Sequence, residues 1–258
     1  MESLEARPGK SDKVRVKVLN NMIVAQNINK VYKQGFRSVH AVKEADIRVD
    51  EGERVYVHGP SGAGKSTLLH VLGALDKPTA GKVSFREKSI YALSDRKRSS
   101  LRNRNFGFIF QFYHLLSELN VLENVMLPAM IKGGASSGKI KSRAKGLLDM
   151  VGMSDRLKHR THQISGGEAQ RTAIARALVN SPDVIFCDEP TGNLDSKMSE
   201  EIYDLLYKIS EASGMSVVVV SHQEVEKDFF HTEYYMKDGV LEKVTDKGTK
   251  KVEDLMTI

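Results

Sequence analysis

The stretch Gly59-Pro60-Ser61-Gly62-Ala63-Gly64-Lys65-Ser66-Thr67 decides the fold of this chain. It fits the phosphate-binding pattern G-x-x-x-x-G-K-[ST], which is informative when it lies between a strand and a helix. Residues 54–58 predict a short strand, and residues 68–73 predict the start of a helix. A simple glycine-rich turn before a helix is the alternative, and the Lys-Ser pair and both flanks disfavour it. We therefore interpret the stretch as a phosphate-binding loop.

Each residue type in this loop has a physical role towards phosphate. The glycines let backbone N–H groups turn inward onto phosphate oxygens, and the helix N-terminus adds a partial positive charge. Lys65 supplies a full charge for the β- and γ-phosphates, and the hydroxyl of Ser66 can hold Mg²⁺.

Composition indicates an ordinary globular protein. The chain has 258 residues, of which 40% are hydrophobic and 28% charged. The longest aliphatic run, residues 217–220, is too short to cross a membrane, and residues 1–17 lack the apolar segment of a signal peptide. The single cysteine, Cys187, excludes an internal disulfide and fits a reducing cytosol.

The net charge of +6 leaves two interpretations of the basic residues, which concentrate at 96–98 with Arg102 and Arg104. A basic cluster of this kind is more typical of a solvated helix face than of a surface that binds nucleic acid or anionic lipid.

Residues 1–20 predict a flexible N-terminal arm. Strands at 22–25 and 41–49 leave no room for helices between them, which predicts an antiparallel sheet beside the nucleotide core.

A second set of signals follows the phosphate loop. A buried strand at 106–110 ends on Gln111, at the kind of strand end where α/β proteins bind ligands; a strand-terminating amide is the alternative. Residues 122–130 and 140–151 then predict helices without a strand between them. We interpret the region of about 112–163 as a helical insertion.

The segment Ser165-Gly166-Gly167-Glu168 predicts the start of another helix. Ser165 and Glu168 have the spacing of a capping box. Two consecutive glycines are costly in a simple cap but suit close approach of the backbone to a ligand. The segment therefore predicts a second anion site at a helix N-terminus, with a capped helix as the alternative.

Residues 183–189 predict a central strand that ends in two carboxylates. Asp188 is placed to hold Mg²⁺, and Glu189, one residue further, is expected on the other side of the strand, beside an attacking water. Two solvated carboxylates are the alternative. Residues 216–221 predict another buried strand with His222 at its tip, and Cys187 is expected to serve core packing.

Taken together, these motifs resemble the ATP-binding subunits of ABC transporters over roughly residues 21–242. The resemblance implies roles by position: Tyr32 stacks on adenine, Gln111 reaches Mg²⁺ and senses a membrane subunit, and Asp195 lies at a dimer seam. It also implies that Glu189 is the catalytic carboxylate and that His222 and Lys65 act on the γ-phosphate. Ile164 and Ala169 depart from the family pattern without removing a catalytic group.

The implied fold is α/β, a P-loop (RecA-like) parallel-sheet core with an antiparallel β subdomain and an inserted helical subdomain. The ATP-binding domain is expected at 21–245, with a tail at 246–258. The implied ligands are ATP and Mg²⁺. The implied partners are a second copy of the chain and an integral membrane permease, at the cytoplasmic face of the inner membrane, without membrane insertion or nucleic acid.

Finer motifs point to one branch of the family. Residues 110–116, 122–125 and 189–195 are similar to the branch that serves lipoprotein release and macrolide efflux. ATPases of cell division, which regulate a membrane partner without transport, and exporters of antimicrobial peptides are near relatives and remain alternatives.

Overall fold

The computed structural model describes residues 21–35, 37–222 and 229–247. The expected arm at 1–20 and all but the first two residues of the expected tail at 246–258 lie outside the described residues. Across the described helices, no segment is both long and apolar enough to cross a bilayer.

The described residues form ten strands and six α-helices, named here in chain order. The strands are β1 (Asn21–Gln34), β2 (Arg37–Asp50), β3 (Arg54–His58), β4 (Ala80–Phe85), β5 (Lys88–Ser89), β6 (Phe106–Phe110), β7 (Val184–Asp188), β8 (Ser216–Ser221), β9 (Thr232–Lys237) and β10 (Val240–Asp246). The helices are α1 (Lys65–Leu72), α2 (Asp95–Asn105), α3 (Val121–Lys132), α4 (Ser137–Met150), α5 (Gly166–Leu178) and α6 (Ser196–Ser213).

Two sheets organise these elements. The first has the order β2-β1-β4-β5 and is antiparallel throughout, as the short connections predict. The second has the order β10-β9-β3-β8-β7-β6, in which β9, β3, β8, β7 and β6 run parallel. Because parallel strands share an edge for their carboxyl ends, the residues after β3, β6, β7 and β8 meet along one side of the sheet.

The parallel strands form the centre of the core because they are apolar along their whole length. Every residue of β8 is buried, as are the first four residues of β7. Phe186 is fully buried and packs edge-on against Phe106 and stacked against Phe108. Cys187 is fully buried among these strands and serves packing, and its burial raises the pKa of the thiol.

Between β6 and β7 the chain is helical, as predicted. Helix α3 begins with a capping box in which the Asn120 side chain accepts from the Glu123 N–H at 2.9 Å. Helix α3 packs against both α4 and α5. These helices shield the face of the sheet that carries Ile109, Ile185 and Val219.

A charged cluster fastens the segment before β9 to the start of β3. The buried Arg54 donates from Nε to the carbonyl oxygen of Phe229 at 2.6 Å, and its guanidinium lies 4.9 Å from the ring centroid of Tyr207. Its remaining nitrogens bond Glu211 and lie 2.9 Å from Nε2 of His231. Burial and the positive charge of Arg54 lower the pKa of His231 to about 4.

Acidification is therefore expected to destabilise the fold through His231. Because its pKa is lower in the folded chain than its ordinary value of 6.5, the unfolded chain binds more protons below that pH. Stability present above pH 6.5 is lost as the pH falls towards 4. His231→Gln should reduce the loss between about pH 7 and pH 5 by about 1 kcal/mol, a value discounted for partial exposure of the ring.

Urea unfolding at the two pH values measures this difference. His162→Gln, at an exposed histidine, is the matched control and should retain the wild-type loss. Equal pH dependence in wild type and His231→Gln would show that this ring does not control acid stability.

Candidate functional site

The phosphate-binding loop joins β3 to α1 and is held against two other strands. Gly59 has a φ of 145°, and a Cβ there would lie 2.0 Å from the carbonyl oxygen of Met236. Gly64 has a φ of 106°, and its Cβ would lie 2.0 Å from the carbonyl oxygen of Ala41. Glycine is therefore required at both ends of the loop by the packing of the backbone itself, in addition to any ligand.

We expect Gly64→Ala to lower the free energy of unfolding by about 3 kcal/mol and to abolish nucleotide binding, because the added methyl displaces Ala41 or the loop. Gly62→Ala is the matched control, since Gly62 also has a positive φ, 78°, but its Cβ would meet no atom within 4 Å. The control should cost about 1 kcal/mol. Urea unfolding and nucleotide titration measure both effects, and equal losses in the two variants would contradict the packing argument.

Lys65 begins α1 and points back into the loop. Its Nζ donates to the carbonyl oxygens of Gly59 and Pro60 at 2.8 and 2.9 Å, and its exposed fraction is 6%. Burial lowers the pKa of this ammonium, while the nearby charges of Glu189 and Asp188 partly oppose that change. Phosphate oxygens could therefore replace the two carbonyl oxygens as the hydrogen-bond partners of Lys65.

Asp188 at the end of β7 contacts two residues of α1. The hydroxyl of Ser66 donates to Oδ1 of Asp188 at 2.7 Å, and Nε2 of His70 lies 3.6 Å from Oδ2. A hydroxyl and a carboxylate oxygen are the hard ligands that Mg²⁺ prefers. Within the described part of the chain, no group of three His, Cys, Asp or Glu side chains could hold a metal alone. The pair therefore fits an ion that takes its other ligands from phosphate and water.

Glu189 follows Asp188 and contacts the residues at the end of β8. Its Oε1 and Oε2 are each 2.9 Å from Nδ1 of His222, and the hydroxyl of Ser221 donates to Oε2 at 3.0 Å. Strand alternation does not by itself set the direction of this side chain, because β7 ends at Asp188 and Glu189 has a φ of 47°. The expected role of Glu189 beside an attacking water stays a prediction. With this left-handed backbone, the carboxylate lies beside Ser221 and His222 at the end of β8.

Gln111 follows β6 but does not contact the Ser66–Asp188 pair through its amide. Its Nε2 donates to Oδ1 of Asn193 at 3.2 Å, and Nδ2 of Asn193 donates to the Gln111 carbonyl oxygen at 2.9 Å. The side chain also packs on Gly192, where a Cβ would lie 2.9 Å from Nε2. Gln111 is thus coupled to the loop that follows Glu189.

The second predicted anion site is a well-capped helix end. Ser165 N–H donates to Glu168 at 2.8 Å, and Glu168 N–H donates to Oγ of Ser165 at 3.3 Å, so the predicted capping box is confirmed. A Cβ on Gly167 would lie 1.9 Å from Cε of Met198, whereas one on Gly166 would approach the Tyr113 hydroxyl at 2.9 Å. Both approaches are to the ends of side chains, which can move aside, so packing inside this chain does not by itself require glycine at either position.

Tyr32 and Asp195 lie at the margins of the site. The Tyr32 hydroxyl donates to Oδ2 of Asp76 at 2.7 Å, and Nζ of Lys30 lies 4.7 Å from its ring centroid. Burial, followed by the contact with Asp76, raises the pKa of Tyr32, and a hydrogen bond with Thr67 partly opposes the rise. This contact places the ring beside the phosphate loop. Asp195 caps α6, where its Oδ1 accepts from Met198 N–H at 2.9 Å.

Three residues of the site were not found from the sequence. His70 contacts Asp188, Ser221 contacts Glu189, and Asn193 contacts Gln111. A signal existed for His70, because it follows Ser66 by four positions on α1 and so shares its face. Ser221 and Asn193 carry no comparable signal, since their contacts depend on how three separate strand ends meet.

A phosphate-binding loop, a hydroxyl–carboxylate pair and a glutamate–histidine pair at one edge of a parallel sheet define a nucleotide-binding P-loop protein of the α/β class. The family model described as "ABC transporter" matches residues 42–192. The chain belongs to the ABC transporter family, and within it the chain is an ATP-hydrolysing subunit that binds nucleotide.

Relatives and solved structures agree with this family. The lipoprotein-releasing system ATP-binding protein LolD of Syntrophotalea carbinolica is 50% identical over 201 residues, covering 78% of this chain and 88% of the relative. An uncharacterized ABC transporter ATP-binding protein of Thermotoga maritima is 48% identical over 219 residues, covering 85% and 93%.

Among solved structures, the dimeric bacterial ABC transporter cassette MJ0796 is similar with a TM-score of 0.83 and 40% identity, over 89% of this chain and all of that one. The same cassette in a post-hydrolysis state bound to ADP and Pi has a TM-score of 0.82 and 40% identity, with the same coverage. The predicted fold class is therefore confirmed.

Proposed function

We propose that this chain powers a lipoprotein-releasing complex, as a peripheral ATPase that drives a separate integral membrane subunit at the cytoplasmic face of the inner membrane. The observation that carries ATP hydrolysis is the position of Glu189, oriented by His222 and Ser221 on one side of Asp188 while Ser66 contacts the other. Similarity to LolD proteins supports the lipoprotein substrate.

The chain's own groups have separate tasks in this proposal. The loop's backbone N–H groups and Lys65 bind the β- and γ-phosphates, and Tyr32 offers its ring to adenine. Ser66 and Asp188 are the residues that would hold Mg²⁺, and Gln111 would join them by turning its amide away from Asn193. The ion would neutralise phosphate charge when bound. Glu189 accepts a proton from the attacking water or orients it, and His222 and Lys65 stabilise charge on the transferred phosphoryl group.

A homodimer follows from the number of anion sites. One nucleotide's phosphates fill the loop at 59–67, which leaves the helix end at Ser165–Glu168 without a phosphate from the same chain. We propose that this helix end covers the γ-phosphate bound to a second copy, in a closed two-fold arrangement with Asp195 at the seam. The dimeric structure of the MJ0796 cassette supports this arrangement.

The membrane subunit is proposed to dock just beyond Gln111. Phe112 is 70% exposed and Leu116 is also exposed, so these apolar side chains are available to a partner and are not buried in the helical region. Because Gln111 contacts Asn193 in the loop after Glu189, a partner at this surface is connected to the catalytic carboxylate.

The test is reconstitution of the complex. The tagged chain is isolated from detergent-solubilised membranes, its membrane subunit is identified, and the pair is placed in vesicles that contain an anchored lipoprotein. We expect Mg²⁺-dependent ATP hydrolysis and ATP-dependent release of the lipoprotein. Hydrolysis without release would exclude lipoprotein release and favour regulation or efflux, whereas absence of hydrolysis by the complex would contradict the proposal as a whole.

A further inference from the structure

The corner formed by the end of α3 and the start of α4 combines exposed apolar and basic side chains. Met130 and Ile131, near the end of α3, are 55% and 69% exposed. No acidic residue occurs between Glu123 and Asp149. The basic residues in that interval are Lys132, Lys139, Lys141, Arg143 and Lys145, and we call them, together with Met130 and Ile131, the α3–α4 corner.

Hydrogen bonds hold this corner in a fixed position on the molecule. Lys132 Nζ donates to the carbonyl oxygen of Asn180 at 3.2 Å, and Arg143 bonds the hydroxyl of Ser181. Asn180 Nδ2 donates to the carbonyl oxygen of Pro128 at 3.1 Å. Both helices are thus tied to the connection between α5 and β7, which leads into the start of β7, so the corner lies opposite the edge that carries the nucleotide site.

The turn between the two helices and the first residues of α4 are exposed to solvent. A Cβ added at Gly133, Gly134 or Gly138 would meet no atom within 4 Å. Nearby acidic charge is already engaged, because Asp183 lies 2.8 Å from Arg86 and 2.6 Å from Asn105 Nδ2. The corner is therefore an exposed, positively charged surface with an apolar tip.

We propose that the α3–α4 corner binds the headgroups of anionic phospholipids. Basic side chains beside a membrane gain attraction to the negative surface, and adjacent apolar side chains enter the headgroup region. Nucleic acid is the less favoured occupant, because residues 124–150 contain no aromatic side chain for base stacking, and two exposed aliphatic residues gain nothing against a phosphate backbone. With only two apolar residues, the contact is peripheral and reversible by salt.

Flotation of the full chain with vesicles tests the proposal, using phosphatidylcholine alone and phosphatidylcholine with about one-third phosphatidylglycerol. We expect binding only to the anionic vesicles and its loss at high salt. The triple variant Lys139→Gln, Lys141→Gln, Lys145→Gln should bind about a hundredfold more weakly, since each of the three charges contributes about fivefold. Its ATPase activity should be unchanged, which separates this test from that of the proposed function.

The matched control removes three exposed lysines from other elements, Lys88→Gln, Lys208→Gln and Lys237→Gln, and gives the same net charge. It should bind like wild type. The basic residues of 1–20 are present in both variants, so the comparison isolates position. Equal loss in both variants, no loss in the first, or tighter corner-dependent binding to a single-stranded oligonucleotide than to the vesicles would overturn the proposal.

A fluorescent label tests the apolar tip separately. The single cysteine, Cys187, is buried, so Ile131→Cys provides one accessible site for a polarity-sensitive dye. Anionic vesicles should shift its emission to the blue, whereas the same dye at Lys208→Cys should not shift. An unchanged spectrum at position 131 despite flotation would exclude the corner as the contact.

Discussion

Glu189→Gln is expected to lower ATP turnover at least about a hundredfold while ATP binding stays close to that of wild type. The amide has the size of the carboxylate and can still face Ser221 and His222, which contact Glu189 within 3.0 Å. It cannot accept a proton from water. ATP should therefore persist between two chains, so that a dimer accumulates. Phosphate release measures turnover, nucleotide titration measures ATP binding, and size-exclusion chromatography with ATP measures the dimer.

A carboxylate outside the site gives the control for this variant. Glu201 on α6 pairs with Arg171 at 2.6 Å, and neither residue is assigned a role in hydrolysis, so Glu201→Gln should keep wild-type turnover. Turnover of Glu189→Gln within a few-fold of wild type, or a monomer in the presence of ATP, would refute the assigned role.

The second large effect is expected for His222→Ala. Removing the ring deletes one contact of each Glu189 oxygen and any stabilisation of the phosphoryl group by the ring, so kcat should fall about a hundredfold. Because the two residues act as a unit, the double variant with Glu189→Gln should be little slower than either single variant.

Steady-state phosphate release by wild type, the two single variants and the double variant measures the coupling between His222 and Glu189. His40→Ala, at an exposed histidine of β2, should leave kcat unchanged. Losses that multiply in the double variant would mean that His222 and Glu189 act independently.

The central strands could be predicted because burial leaves a plain signal. Residues 106–110 were predicted as a strand and are β6, and the apolar run that ends at Asp188 is β7. A strand buried on both faces needs apolar side chains throughout, and its tip needs polar ones. The start of α5 was predictable for a similar reason, because the capping box is a local pattern.

Contacts between strand ends were not predictable in the same way. Strand periodicity cannot foresee that the backbone of Glu189 adopts a φ of 47° at a position where its N–H donates to the carbonyl oxygen of Val220 on the neighbouring strand. The fit of Met198 against Gly167 likewise requires α6 to lie on the start of α5. Such features arise from packing between distant segments and leave no local periodicity.

The position of β3 in the sheet has a consequence for biosynthesis. This strand leads into the phosphate loop, yet both of its neighbours, β8 and β9, are encoded near the end of the chain. At roughly 5–20 residues per second, the ribosome makes them roughly 8–30 s after β3. Until then the first nucleotide-binding segment has exposed strand edges, so a nascent chain that stops before residue 216 should be retained by chaperones and should bind no ATP.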